Sequence, residues 1–135
     1  YAAVIDSTIV VNNQFHNTLW VPAHFHTYFL LGFYPILWGF LYYVAGSARE
    51  TLAKFGFASY VMGAAGFLAM FYVAGALGVP RRYAEYSTFP IESLYNVAQA
   101  LPKVAVIFVL YVIFGFIIMT FSIFTGMGQR ASTRA

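Results

Sequence analysis

The sequence predicts an all-α integral membrane protein with three transmembrane helices, and two observations carry that prediction. The first is composition: of 135 residues, 61% are hydrophobic and 21% aromatic, while only 8% are charged, a balance far outside soluble globular usage. The second is where the charges fall. Every Asp, Glu, Lys and Arg lies between apolar runs or near the ends of the chain, which leaves three uncharged stretches: Trp20 to Gly46, Phe55 to Val79 and Val104 to Met127. Each is longer than the roughly 20 residues needed to cross about 30 Å of hydrocarbon.

Taken in order, residues 1–15 read as the end of a preceding helix and an outer loop. YAAVIDSTIVV is too short to cross a bilayer and contains Asp6. It lacks the basic segment, apolar core and cleavage site of a signal peptide, so the chain is expected to be a piece of something larger. Spans are expected over 18–46, 55–79 and 103–127. The connection after the first span, SARETLAK, carries Arg49 and Lys54 against Glu50, and the tail over 128–135 carries Arg130 and Arg134 with no acid. Both are expected on the cytoplasmic side. The outer loop over 80–102, with Lys103 at its end, balances Arg81 and Arg82 with Glu85 and Glu92. His16, His24 and His26 then stand at the outer end of the first span, level with the arginine pair.

Within HNTLWVPAHFH, His24 and His26 are two residues apart at the start of an apolar run. On an α-helix that spacing is about 200° of rotation, so the two imidazoles leave on nearly opposite sides. A metal site on one helix wants ligands three or four residues apart on a single face. The spacing of two therefore argues against one shared ion and suits a helix standing between two metal centres, such as two haems with one histidine each. An interfacial or hydrogen-bonded role for the histidines remains the alternative. The pair in VPRRY has two readings as well. Arg81 and Arg82 serve either as a juxtamembrane anchor or, because guanidinium groups bind carboxylates bidentately and stay charged, as a carboxylate clamp.

Other chemistries are excluded or muted. The net charge of +3 comes from residues flanking the spans, and no basic run with interleaved aromatics occurs, so nucleic acid is not an expected partner. Zero cysteines removes disulfides, thiolate metal sites and a cysteine nucleophile. No glycine-rich phosphate loop is present. Runs such as Gly63-Ala64-Ala65-Gly66 and Gly75-Ala76-Leu77-Gly78 fit close helix packing in a bilayer.

The combination of HNTLWVPAHFH with two further spans and VPRRY between them resembles the C-terminal part of subunit I of the haem-copper terminal oxidases, the cytochrome c oxidase and quinol oxidase family. The resemblance covers nearly the whole chain and implies the last three spans of a twelve-helix core. It implies a catalytic subunit that reduces O2 to water at a haem and copper centre, coupled to proton translocation. His24 would be the proximal ligand of the high-spin haem at the oxygen-reducing site, and His26 would ligate the low-spin haem. Phe25 would lie near the gap between them, and Arg81 and Arg82 would pair with haem propionates. His16 would sit above the high-spin haem as a possible proton-exit group. Asn12, where related chains often carry Asp, belongs to the same cofactor-side set.

Asn17 replaces the Asp of the HDT form, and a neutral amide is a poorer ligand for a hard cation, which argues against a Mg or Mn ion there. The HNT form resembles the branch with haem b and haem a₃ oxidases and archaeal quinol oxidases. The implied cofactors are two haems, A-type and/or B-type, and a copper ion whose ligands lie outside this chain. The implied partners are the remainder of subunit I, other subunits including a subunit II, cytochrome c or quinol as donor, O2 and the lipid bilayer. The expected location is a prokaryotic plasma membrane with His24 and His26 near its outer side. Two other classes stay open from the residues alone: a dihaem electron-transfer cytochrome, and a structural membrane subunit without catalysis.

Overall fold

The structure, a computed structural model, describes residues 4, 8–81 and 92–134. Its helices are α1 (Ile9–Phe15), α2 (Trp20–Thr27), a π-helical segment (Tyr28–Phe33), α3 (Tyr34–Ala45), α4 (Glu50–Ala76) and α5 (Glu92–Arg134). Helix α2, the π segment and α3 run on from one another as the first span. Three helical stretches are long and apolar enough to cross a membrane: Trp20–Ala45, Glu50–Ala76 and Lys103–Gly128.

Two helices extend beyond the uncharged stretches. Helix α4 begins at Glu50, five residues before Phe55, because charged residues lengthen a helix without disturbing it. Glu50 sits in the first turn, where an acid complements the helix dipole, and pairs with Lys54 at 2.6 Å across one turn. Helix α5 begins at Glu92, inside the stretch read as outer loop, and continues to Arg134. A helix outside the bilayer needs no uncharged run, so that criterion does not detect it.

The core is the α4–α5 pair, built on small residues. A Cβ at Gly63 would lie 2.7 Å from both Phe108 O and Val112 N, and one at Gly115 would lie 2.6 Å from Tyr60 N and 2.7 Å from Gly56 O. Glycine at these places lets backbones meet, which is how helices gain contact in lipid, where no hydrophobic force separates tail from side chain. Trp38, Tyr60 and Met119 form a buried cluster against this pair, and Phe116 packs on it.

The first span changes its winding at Tyr28–Phe33. In the π segment hydrogen bonds run from residue i+5, as from Tyr34 N–H to Phe29 O. The next carbonyl, Leu30 O, would be served by residue 35, which is Pro35 and has no N–H. The hydroxyl of Tyr60 donates to Leu30 O instead. One side chain of α4 thus supplies the donor that proline removes, and it ties the first span to the core at mid-depth.

Helix α4 ends in a Schellman motif. Val79 N–H reaches Ala74 O at 3.0 Å and Gly78 N–H reaches Gly75 O at 3.0 Å, with Gly78 in the left-handed region at φ 83°, the conformation this cap requires. Val79 packs against Ala74, and Pro80 follows, so the chain leaves the helix at a fixed angle.

Candidate functional site at the histidine end

Two turns meet at this end of the bundle, one entering the first span and one leaving the second. Thr18 and Pro80 form an antiparallel bridge. Leu19 N–H donates to Val79 O at 2.9 Å, and Arg81 N–H donates to Asn17 O at 2.8 Å. Asn17 has φ 66°, a left-handed conformation that asparagine tolerates better than most residues. Thr18 Oγ1 donates to Phe15 O at 2.8 Å and accepts from Trp20 N–H at 3.2 Å, which starts α2. Trp20 stacks on Phe15 at 4.5 Å and meets Tyr72 edge-on at 4.7 Å. A Cβ at Gly75 would run into the Trp20 backbone, so glycine there lets the end of α4 touch the start of α2.

These contacts place the AHFH sequence. On the face toward α4, Thr27 Oγ1 lies 2.9 Å from the Tyr72 hydroxyl and donates to Ala23 O at 2.9 Å. His24 and His26 leave α2 into different surroundings, as the spacing of two predicts. His26 lines an open cleft of about 450 Å³ together with Leu19, Val21, Pro22, Phe25 and Arg81. Its ring meets Phe67 of α4 edge-on at 5.8 Å. His26 Nδ1 lies 2.6 Å from Pro22 O. A carbonyl only accepts, so Nδ1 carries a proton, and Nε2 is the nitrogen whose lone pair could bind a metal.

His24 does not line that cleft. Its Nε2 lies 2.9 Å from the Tyr28 hydroxyl, and the two rings meet edge-on at 4.9 Å. Phe25, between the histidines, is 57% exposed and begins a ladder with Phe29 at 4.8 Å and, from there, Phe33 at 6.1 Å. His16 is exposed at the end of α1, where its N–H donates to Asn12 O at 2.8 Å. Asn12 is exposed as well. Arg82 lies outside the described residues, so of the arginine pair the structure describes Arg81.

Arg81 is the charged group of the cleft. One of its Nη2 hydrogens goes to Asn17 Oδ1 at 3.3 Å, while Nε is buried with no partner among the described residues. A buried N–H without an acceptor loses about 1–3 kcal/mol of hydration. Among the described residues no group of three or more His, Cys, Asp or Glu could hold a metal ion.

The sequence reading missed four contributors. Tyr28 stands four residues after His24 and could have been found from that spacing. Thr27 with Tyr72, Asn17 with Arg81 and Tyr60 with Leu30 join residues far apart in sequence, and no local pattern announces them.

Comparison with known proteins gives one family. The family model described as Cytochrome C and Quinol oxidase polypeptide I matches residues 2–117. Among curated proteins and among solved structures, none matches the chain.

Proposed function

Because this chain belongs to the cytochrome c and quinol oxidase polypeptide I family, we propose that it forms the C-terminal part of the catalytic subunit of a respiratory terminal oxidase. The reaction is the reduction of O2 to water, coupled to proton translocation. Two haems and a copper ion, when bound, supply the electron relay and the oxygen-reducing centre. The residues of this chain supply ligands, charge and a proton-exchange group.

The observation that carries this reading is the fixed tautomer of His26 in a cleft that Arg81 also lines. His26 offers Nε2 to the low-spin haem, and Pro22 O holds the ring at the orientation needed. Arg81, which lines the same cleft, would pair with a haem carboxylate, with Arg82 beside it in sequence. His24, from the other side of the helix, offers Nε2 to the high-spin haem, for which the Tyr28 hydroxyl must give up its contact. Phe25, on the cleft wall between them, keeps water from the space separating the two sites. His16, exposed where α1 meets the turn, would exchange protons with solvent above the high-spin haem, and Asn12, exposed one turn earlier, would belong to the same cofactor side.

The chain acts with the remainder of subunit I, which supplies the copper ligands and the second ligand of the low-spin haem, and with a subunit II. Cytochrome c or quinol is the donor. The histidine end faces the outside of a prokaryotic plasma membrane, and the HNT sequence favours the branch with haem b and haem a₃ oxidases and archaeal quinol oxidases.

The test is a reduced-minus-oxidised spectrum, with and without CO, of the native membrane complex containing this chain. Two haems of which one binds CO are expected. Two haems without CO binding would make the complex an electron-transfer cytochrome, and no haem would leave a structural subunit.

A further inference from the structure

We infer that Asn17 is a positioning residue for Arg81, a neutral clamp that holds the guanidinium at the His26 cleft with its charge undiminished. The inference rests on the haem-binding reading above, because the ligand served is a haem carboxylate.

Three observations lead to it. Asn17 is the one described non-glycine residue with positive φ, at 66°, so the backbone accepts strain at this point. That conformation lets a single residue contact Arg81 twice: its carbonyl accepts the Arg81 N–H at 2.8 Å and its Oδ1 accepts from Nη2 at 3.3 Å. The Arg81 Nε is buried without a partner among the described residues, and Arg81 lines the same cleft as His26. Among the described residues Arg81 forms no ion pair. An amide is well suited to this task. It orients a cation through its oxygen and adds no negative charge, whereas a carboxylate at position 17 would cancel the field that Arg81 exerts on the cleft.

The consequence is electrostatic. Reduction adds an electron to an iron centre, so a fixed positive charge nearby favours the reduced form and raises the midpoint potential. Releasing the guanidinium toward solvent lowers it.

The experiment is a spectroelectrochemical titration of the low-spin haem in the native complex, comparing Asn17→Gly, Arg81→Gln and the double variant. Glycine adopts positive φ without strain, so Asn17→Gly keeps the turn and removes Oδ1 alone. It is expected to shift the one-electron equilibrium toward oxidised haem by about tenfold, a fall of about 59 mV. Arg81→Gln, which removes the charge, is expected to lower the potential too, and the double variant to match Arg81→Gln alone, since a residue acting through another has no effect once that other is removed. An unchanged potential in Asn17→Gly, or full additivity in the double variant, overturns the clamp. His26→Ala serves as the separate control: retention of the low-spin haem in that variant overturns the haem-binding reading itself.

Discussion

Helices α4 and α5 meet backbone to backbone across Gly63 and Gly115, whereas the first span, beyond its close approach to Gly75 at Trp20, is fastened to them by single side chains. Tyr60 reaches Leu30 O, Thr27 reaches the Tyr72 hydroxyl, and Tyr42 reaches Ser122 Oγ at 2.8 Å and Met119 O at 3.2 Å. The difference appears in burial: a third of the second span's apolar window is buried, 33%, against 6% for the first. In lipid these are the two available ways to join helices, small residues in close approach or polar side chains as pins. The pinned helix is the one that carries both candidate ligands. A helix held by a few points along one side keeps its remaining faces open, and the tightly packed pair serves as its support.

The largest effect is expected where the close-packed pair is forced open. Gly115→Leu sets a side chain against the Tyr60 N and Gly56 O, and backbone cannot turn aside as a flexible side chain can. Overpacking of this kind costs about 1–3 kcal/mol and sometimes more. The expected outcome is a sharply reduced yield of assembled complex and a lowered thermal midpoint in detergent. Gly39→Leu is the matched control, since a Cβ at Gly39 meets nothing within 4 Å. Equal losses from the two substitutions would mean that the α4–α5 contact is no tighter than an open face, and the contrast between the two packing modes would fall.

A smaller effect is expected at the pin. Tyr60→Phe removes the donor to Leu30 O, which Pro35 cannot replace, and leaves a carbonyl unpaired at a cost of about 1–3 kcal/mol. The thermal midpoint is expected to fall, and Pro35→Ala in the same chain to recover part of the loss by restoring an N–H in the i+5 register. An unchanged midpoint in Tyr60→Phe, which keeps the ring, would show that Tyr60 matters through its packing on Phe116, at 5.0 Å, and not through its hydroxyl.

Much of this architecture is legible in the sequence, and the physical reason is plain for each part. The three spans declare themselves because charge is excluded from hydrocarbon over a length fixed by the bilayer. Pro80 marks the end of α4 because a residue without N–H helps stop a helix, whereas Gly78, which reads in sequence as part of a packing run, is the left-handed cap and has nothing packed on it. The separate surroundings of His24 and His26 follow from the rotation per residue. The π segment is not legible, since YFLLGF reads as an ordinary apolar helix and Pro35 gives the single hint. The start of α5 at Glu92 is hidden because helices outside lipid carry charge freely. The pairing of Asn17 with Arg81 spans 64 positions and exists only because the Thr18–Pro80 bridge aligns two turns. Position 17 read as a weakened metal ligand when the sequence stood alone. In the fold its oxygens serve an arginine.

The smallest effect is expected at the one ion pair among the described residues. Glu50 and Lys54 lie 2.6 Å apart, one turn from each other, with side chains 79% and 75% exposed. Exposed pairs of this kind gain little, because water screens the attraction and both side chains lose freedom in forming it. Lys54→Gln is therefore expected to leave the thermal midpoint unchanged, at low and at high salt alike. A clear salt-dependent loss would show that this loop end of the bundle is held by charge. The division drawn above, between a pair packed through glycine and a span fastened by neutral hydrogen bonds, would then need a third means of attachment.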